Sequence, residues 1–321
     1  MGNRPPLFFR VGLTVILVGF ILGGLGIFTA GLYDRLTLVS PDCNGGYQGQ
    51  TPASFAAPID STPYLMPDYQ EVHFPSRDGN ITIAAWWVPG PTADAPAVVL
   101  AHGSHECKRS SSVLFPAGML HRHGYAVLLI DLRNEGSSTV TNGRFAGGVG
   151  EARDVLGAWD WLRREKGLPA SRIGLFGVSL GAAAVVTALG YEPGVAAVWE
   201  DSGYADIVET FRWRLALFLV PFYFSDITFE ISRLKGEEIA SPSPGDSLRA
   251  LNGRPLAIVH GVLDLAVPLE QALELESAAR AAGGQPEVWI LPGVGHVGAM
   301  GSQPAEYERR MVAFFDGALR R

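Results

Sequence analysis

The sequence predicts an α/β protein, with a mostly parallel central sheet of about eight strands flanked by helices, a helical cap inserted late in the chain, and one transmembrane helix in front. Three observations predict it. From Tyr69 onward, short apolar runs alternate with amphipathic stretches, the pattern of parallel strands joined by crossover helices. Arg172-Ile-Gly-Leu-Phe-Gly-Val-Ser-Leu-Gly-Ala-Ala-Ala-Val-Val carries one such run straight through a glycine-flanked serine into a small-residue helix. Val11 to Tyr33 is an unbroken stretch without a charged residue.

That stretch has 23 residues and spans about 34 Å as a helix, enough to cross a bilayer. Arg4 and Arg10 precede it and Arg35 follows, so the positive-inside rule places the N-terminus in the cytoplasm and the remaining chain on the extracytoplasmic side. Thr29-Ala30-Gly31 offers small residues for cleavage, which makes a signal peptide the competing reading, but the apolar run exceeds a usual signal core. Residues 1–36 are therefore read as a single-pass membrane anchor. Residues 37–68, rich in Pro, Gly, Ser, Ala and Gln, are read as a linker.

The catalytic domain is placed at 69–321. Glu71–Phe74 and Ile81–Val88, separated by Asp78-Gly79-Asn80, form a hairpin pattern. Later strands are expected at Ala97–Ala101, Tyr125–Ile130, Ile173–Gly177, Val195–Trp199, Leu256–His260 and Glu287–Leu291. Helices are expected near Ser111–His123, Gly150–Glu165, Leu180–Gly190, Glu270–Ala282 and Pro304–Leu319. In such a sheet, functional residues belong in loops at the carboxyl ends of the strands.

The formal net charge of −7 argues against nucleic-acid binding, which leaves a basic footprint. Two cysteines, Cys43 and Cys107, are too few for a disulfide scaffold. Spacing alone does not decide between two free thiols and one bridge in an oxidising compartment, and the pair is left as free or undecided. His102, His105, Glu106 and Cys107, with His121 and His123 nearby, match no regular zinc spacing, so no metal and no cofactor are expected.

Gly177-Val-Ser179-Leu-Gly181 has the form of a nucleophile elbow, a strained strand-to-helix turn that presents a serine hydroxyl above the sheet. With 39 glycines in the chain, the pentapeptide alone is weak; its strand before, helix after and downstream partners give it weight. A serine hydroxyl needs a histidine base oriented by a carboxylate. His296 lies in a Gly-rich loop after the last expected strand, and Asp264 follows the strand ending at His260. Asp201, one strand earlier, is a rival acid.

His102-Gly-Ser, Asp131-Leu-Arg-Asn-Glu-Gly-Ser-Ser138, Gly177-Val-Ser-Leu-Gly181, His260-Gly-Val-Leu-Asp264 and Gly293-Val-Gly-His296, in this order, resemble the α/β-hydrolase superfamily across roughly residues 70 to 320. Within it the chain is most similar to membrane-anchored and lipase-like acyl hydrolases. The resemblance implies a Ser179, Asp264, His296 triad, Asp264 being preferred over Asp201 for its H-G-x-x-D-x-x-V-P setting. It further implies an oxyanion hole from the backbone amides of Leu180 and Ser104. Asp131 and Arg133 are expected to pair structurally. Ala182 stands where a glycine often follows the elbow, and Ser104 replaces a bulkier residue common in the oxyanion loop.

The cap is placed at about 204–248. Its Trp213–Phe224 run is too short to span a bilayer and is expected to pack on the core, line an acyl pocket or touch lipid. The resulting expectation is a serine hydrolase cleaving carboxylic esters or thioesters of a small-molecule or lipid acyl substrate. A peptidase using the same residues, and a catalytically silent membrane-tethered binding protein, are the alternatives.

Overall fold

The computed structural model describes residues 7–40, 42–43, 47–56 and 59–320. The strands are β1 (Gln70–Pro75), β2 (Thr82–Val88), β3 (Ala97–Ala101), β4 (Ala126–Ile130), β5 (Ile173–Val178), β6 (Ala197–Asp201), β7 (Leu256–Gly261) and β8 (Glu287–Leu291). They form one sheet of order β1-β2-β4-β3-β5-β6-β7-β8. The β1–β2 and β2–β4 pairings are antiparallel and all later ones parallel. This is the α/β-hydrolase fold.

Among the described residues the helices are α1 (Leu7–Thr37), α2 (Ser111–Arg122), α3 (Val149–Glu165), α4 (Leu180–Tyr191), α5 (Ile207–Leu217), α6 (Tyr223–Leu234), α7 (Pro244–Ser247), α8 (Leu269–Ala281), α9 (Ala299–Ser302) and α10 (Pro304–Leu319). Both faces of the central strands are apolar, so both must be covered. In β3, Val99 and Ala101 join one core cluster with residues of α3, α4 and α8, whereas Val98 and Leu100 join a second with α2 and α10.

The end of α1 packs on the domain. Phe28 meets Phe224 of α6 edge-on at 4.9 Å, the Tyr33 hydroxyl donates to Glu237, and Arg144 reaches Thr37 Oγ1 at 2.6 Å and Asp34 at 2.5 Å. Further back, Phe8, Ile16, Leu17, Phe20 and Ile27 are exposed. The segment Ile16–Thr37 is long and apolar enough to cross a membrane, a property that a signal sequence shares.

Within the segment read as a linker, Phe55, Tyr64 and Met66 are buried in the second core cluster with residues of α2 and β2. Scattered without periodicity, these three side chains supplied no signal of that burial. Cys43 and Cys107 are joined in a disulfide, with Cα atoms 5.4 Å apart. Sequence spacing holds no information on that proximity.

Candidate active site

Ser179 sits between the end of β5 and the start of α4 with φ 53° and ψ −116°, a conformation L-residues rarely adopt and one associated with functional sites. The elbow holds it there by close approach. A Cβ at Gly177 would lie 2.2 Å from the Gly181 carbonyl oxygen, and one at Gly181 would lie 2.2 Å from the Ala101 carbonyl oxygen. Both positions are closed to any other residue unless the backbone moves. The Ser179 amide donates to the Asp201 carbonyl at 2.9 Å, tying the turn to β6.

The strand order places β5, β7 and β8 on the same half of the sheet, so the loops after them converge. His296 Nε2 lies 2.9 Å from Ser179 Oγ, and His296 Nδ1 lies 2.7 Å from Asp264 Oδ2. In the arrangement this favours, Nδ1–H donates to the carboxylate and Nε2 accepts the serine proton. Asp264 is itself oriented: its Oδ1 accepts from the amides of Ala266 and Val267, both at 2.8 Å. The buried His260 donates from Nε2 to the Val267 carbonyl at 3.0 Å. Burial pushes its pKa down, which keeps it neutral beneath Asp264.

The rival Asp201 makes no hydrogen bond to His296 among the described residues. It accepts from the Tyr307 hydroxyl at 2.8 Å and from Ser202 Oγ at 2.9 Å, and burial raises its pKa to about 6. Asp131 and Arg133 do not pair as expected. Asp131 binds the buried Lys108 ammonium at 2.5 Å, while Arg133 binds Asp154 at 2.7 Å and Asp78 at 2.6 Å. Each finds its counter-charge on a different part of the chain, Lys108 in the loop after β3 for Asp131, and Asp154 of α3 with Asp78 of the β1–β2 turn for Arg133.

The loop after β3 approaches the serine closely: a Cβ at Gly103 would lie 3.3 Å from Ser179 Cβ. The amides flanking Ser104 are engaged. Gly103 N–H donates to Glu106 at 3.2 Å, and His105 N–H donates to the buried Glu135 at 2.5 Å. Ser104 N–H has no acceptor among the described residues. Leu180, the first residue of α4, presents the kind of amide that a helix leaves without an internal acceptor. His102 beneath the loop is fully buried, donating from Nδ1 to the Gly103 carbonyl at 2.7 Å and accepting from the Leu132 amide at 3.0 Å. Burial pushes its pKa down as well. Three of the residues weighed as metal ligands are committed elsewhere: His102 by both nitrogens, Cys107 by the disulfide, and Glu106 by Gly103 and Ser112.

A cavity of about 220 Å³ opens onto Ser179, His296, Ser104 and Leu180. Its apolar wall comes from Leu36, Phe145, Ile207, Phe211 and Val267. Helices α5 and α6 form the segment expected as a cap, and Phe211 of α5 lines the cavity. The α5–α6 tip, Leu217, Phe218, Leu219, Phe222 and Tyr223, is exposed and not packed on the core. Arg35 and Leu36, at the end of α1, also line the cavity. Nothing in the sequence signals this, because only the tertiary path of the chain brings residue 35 near residue 179.

Residues 112–321 match the prolyl oligopeptidase family. The uncharacterized protein YfhR of Escherichia coli is 28% identical over 262 residues, covering 78% of this chain and 81% of that protein. The fold is similar to the esterase Pf2001 of Pyrococcus furiosus (TM-score 0.64, 19% identity, 84% of this chain and 100% of that one). It is also similar to the acylaminoacyl peptidase of Pyrococcus horikoshii (TM-score 0.59, 18% identity, 79% of this chain and 42% of that one). With the elbow serine in this sheet and the match running through it to the end of the chain, the protein belongs to the prolyl oligopeptidase family and is an α/β-fold serine hydrolase.

Proposed function

We propose that the protein is a membrane-tethered hydrolase of carboxylic esters or thioesters with an apolar acyl part, acting through Ser179, His296 and Asp264. The row of hydrogen bonds from Ser179 Oγ through His296 to Asp264 carries this reading. His296 takes the serine proton as Oγ attacks the acyl carbonyl, and Asp264 holds the imidazole and stabilises its charged form. The amides of Leu180 and Ser104 receive the oxyanion. His296 then protonates the leaving group, and water, activated by the same imidazole, hydrolyses the acyl-enzyme.

The apolar cavity wall favours an acyl group over a polar one. A peptidase reading stands second, on the family match and on the peptidase among the structural neighbours. The esterase Pf2001 is covered over its whole length, the peptidase over less than half, which supports the ester reading. The apolar α1 supports an anchor, and the Cys43–Cys107 bridge supports an oxidising, extracytoplasmic location for the domain.

The test is labelling of the full-length protein by a fluorophosphonate, with Ser179→Ala alongside, followed by turnover of acyl esters, acyl thioesters and aminoacyl amides. Labelling confined to the wild type and turnover of the acyl substrates are expected. Turnover of amides alone would establish the peptidase, and absence of labelling in folded protein would remove the hydrolase mechanism.

A further inference from the structure

Two arginines line the cavity beside Ser179: Arg35, from the last turn of α1, and Arg214, from α5. No Asp or Glu lines it, although the chain as a whole carries a formal charge of −7. Neither guanidinium makes a hydrogen bond or ion pair with another described residue. Most other arginines here are paired, for example Arg77 with Asp160 and Glu192, and Arg133 with Asp78 and Asp154. The carboxylate that attracts Arg214 is Asp264, whose oxygens are already taken by His296 and by the amides of Ala266 and Val267. Arg214 also raises the positive potential at His105, another residue lining the cavity.

Both arginines are exposed to solvent, so water screens part of their mutual repulsion. They leave the cavity rim with a positive charge that no lining Asp or Glu offsets. A bound anion would neutralise it, and guanidinium forks are suited to carboxylate and phosphate oxygens.

We propose that Arg35 and Arg214 form an anion-binding subsite, so that the preferred acyl substrates carry a carboxylate or phosphate group. This rests on the serine hydrolase reading of Ser179 and narrows its substrate class. Because Arg35 ends the apolar helix, an anionic amphiphile would meet the subsite at the level of lipid headgroups. A purely structural role for Arg35, at the negative end of α1 or against lipid phosphates, would affect membrane retention and not substrate choice.

The experiment uses the full chain in neutral detergent micelles and two matched substrate pairs. One pair is the p-nitrophenyl half-ester of a dicarboxylic acid against the ester of the monoacid of equal length. The other is a monoacylglycerol phosphate against the corresponding monoacylglycerol. The wild type is expected to prefer the anionic member of at least one pair by tenfold or more in kcat/KM, and the pair that shows it identifies the carboxylate or phosphate source. Combining Arg35→Gln with Arg214→Gln is expected to remove at least tenfold of that preference, chiefly through KM. Arg35→Lys with Arg214→Lys should restore part of it. As a check that needs no variant, inorganic phosphate or succinate should slow fluorophosphonate labelling of the wild type competitively. Labelled wild type without preference in either pair, or an equal fall for both members in the Gln variants, overturns the subsite and leaves the hydrolase standing. Wild type that folds but is not labelled overturns both.

Discussion

Cys43 is bonded to Cys107, so the segment leaving the apolar helix is stapled to the loop that carries Ser104. The bridge closes a separation of 64 residues, and a loop of that length confines the unfolded chain by about 4 kcal/mol in the chain-entropy description. It also fixes the far end of residues 102–107, whose near end is held by His102 and whose middle is held by Glu106 and Glu135.

Reduction, or Cys43→Ser with Cys107→Ser, is therefore expected to lower stability by about 2–4 kcal/mol. Thermal unfolding of oxidised and reduced protein measures it. An unchanged melting temperature would mean that the bridge does not constrain the unfolded state. Fluorophosphonate labelling should slow in the same variant, through a looser Ser104 amide.

Asp264→Asn and Asp201→Asn separate the two acids. The first removes the charge that orients His296 and is expected to lower kcat by roughly three to four orders of magnitude. The second disturbs the bonds from Tyr307 and Ser202 and should change kcat of the folded protein by less than about tenfold, its main effect falling on stability. The reverse ranking would reassign the acid.

Glu200 is fully buried. One carboxyl oxygen accepts from the Gly203 amide at 2.8 Å and the other has no hydrogen-bond partner among the described residues. Burial, with a smaller push from Asp201, raises its pKa to about 8. Between the ordinary carboxylate range and pH 8, the unfolded chain loses this proton while the folded chain keeps it. Stability from this group therefore falls as pH rises through that window. Asp201, raised to about 6, acts in the same direction over a narrower range. Glu200→Gln is expected to flatten the decline and to raise stability at pH 8 by up to a few kcal/mol. Denaturant unfolding at pH 5, 6.5 and 8 provides the check, and an unchanged slope would show that Glu200 titrates normally.

Phe211 closes the cavity from the cap side and is itself buried. The cavity, about 220 Å³, is smaller than the roughly 300–1,000 Å³ of pockets that enclose drug-sized ligands. Short acyl chains should therefore outpace long ones in the wild type. Phe211→Ala is expected to shift the optimum to longer chains and to lower stability by about 3–5 kcal/mol. A p-nitrophenyl ester series from acetate to palmitate reads the shift, and an unmoved optimum would place the acyl group elsewhere.

Much of this protein was legible from local pattern. Strand–helix alternation is set by side-chain periodicity, and the eight strands occur at the expected places to within a residue, except that β6 lies two residues later, at Ala197–Asp201 rather than Val195–Trp199. The elbow was equally legible, because the steric demand at Gly177 and Gly181 is met within a few residues of Ser179. The order of Ser179, Asp264 and His296 along the chain follows from a topology that the alternation already implied. Tertiary structure alone decided the rest. The Cys43–Cys107 bridge, the separate partners of Asp131 and Arg133, the burial of Phe55, Tyr64 and Met66, and the place of Arg35 beside Ser179 in one cavity join residues far apart in the chain. Periodicity reports which face of an element is apolar, while pairing across elements depends on how the chain closes its loops, and no local pattern encodes that closure.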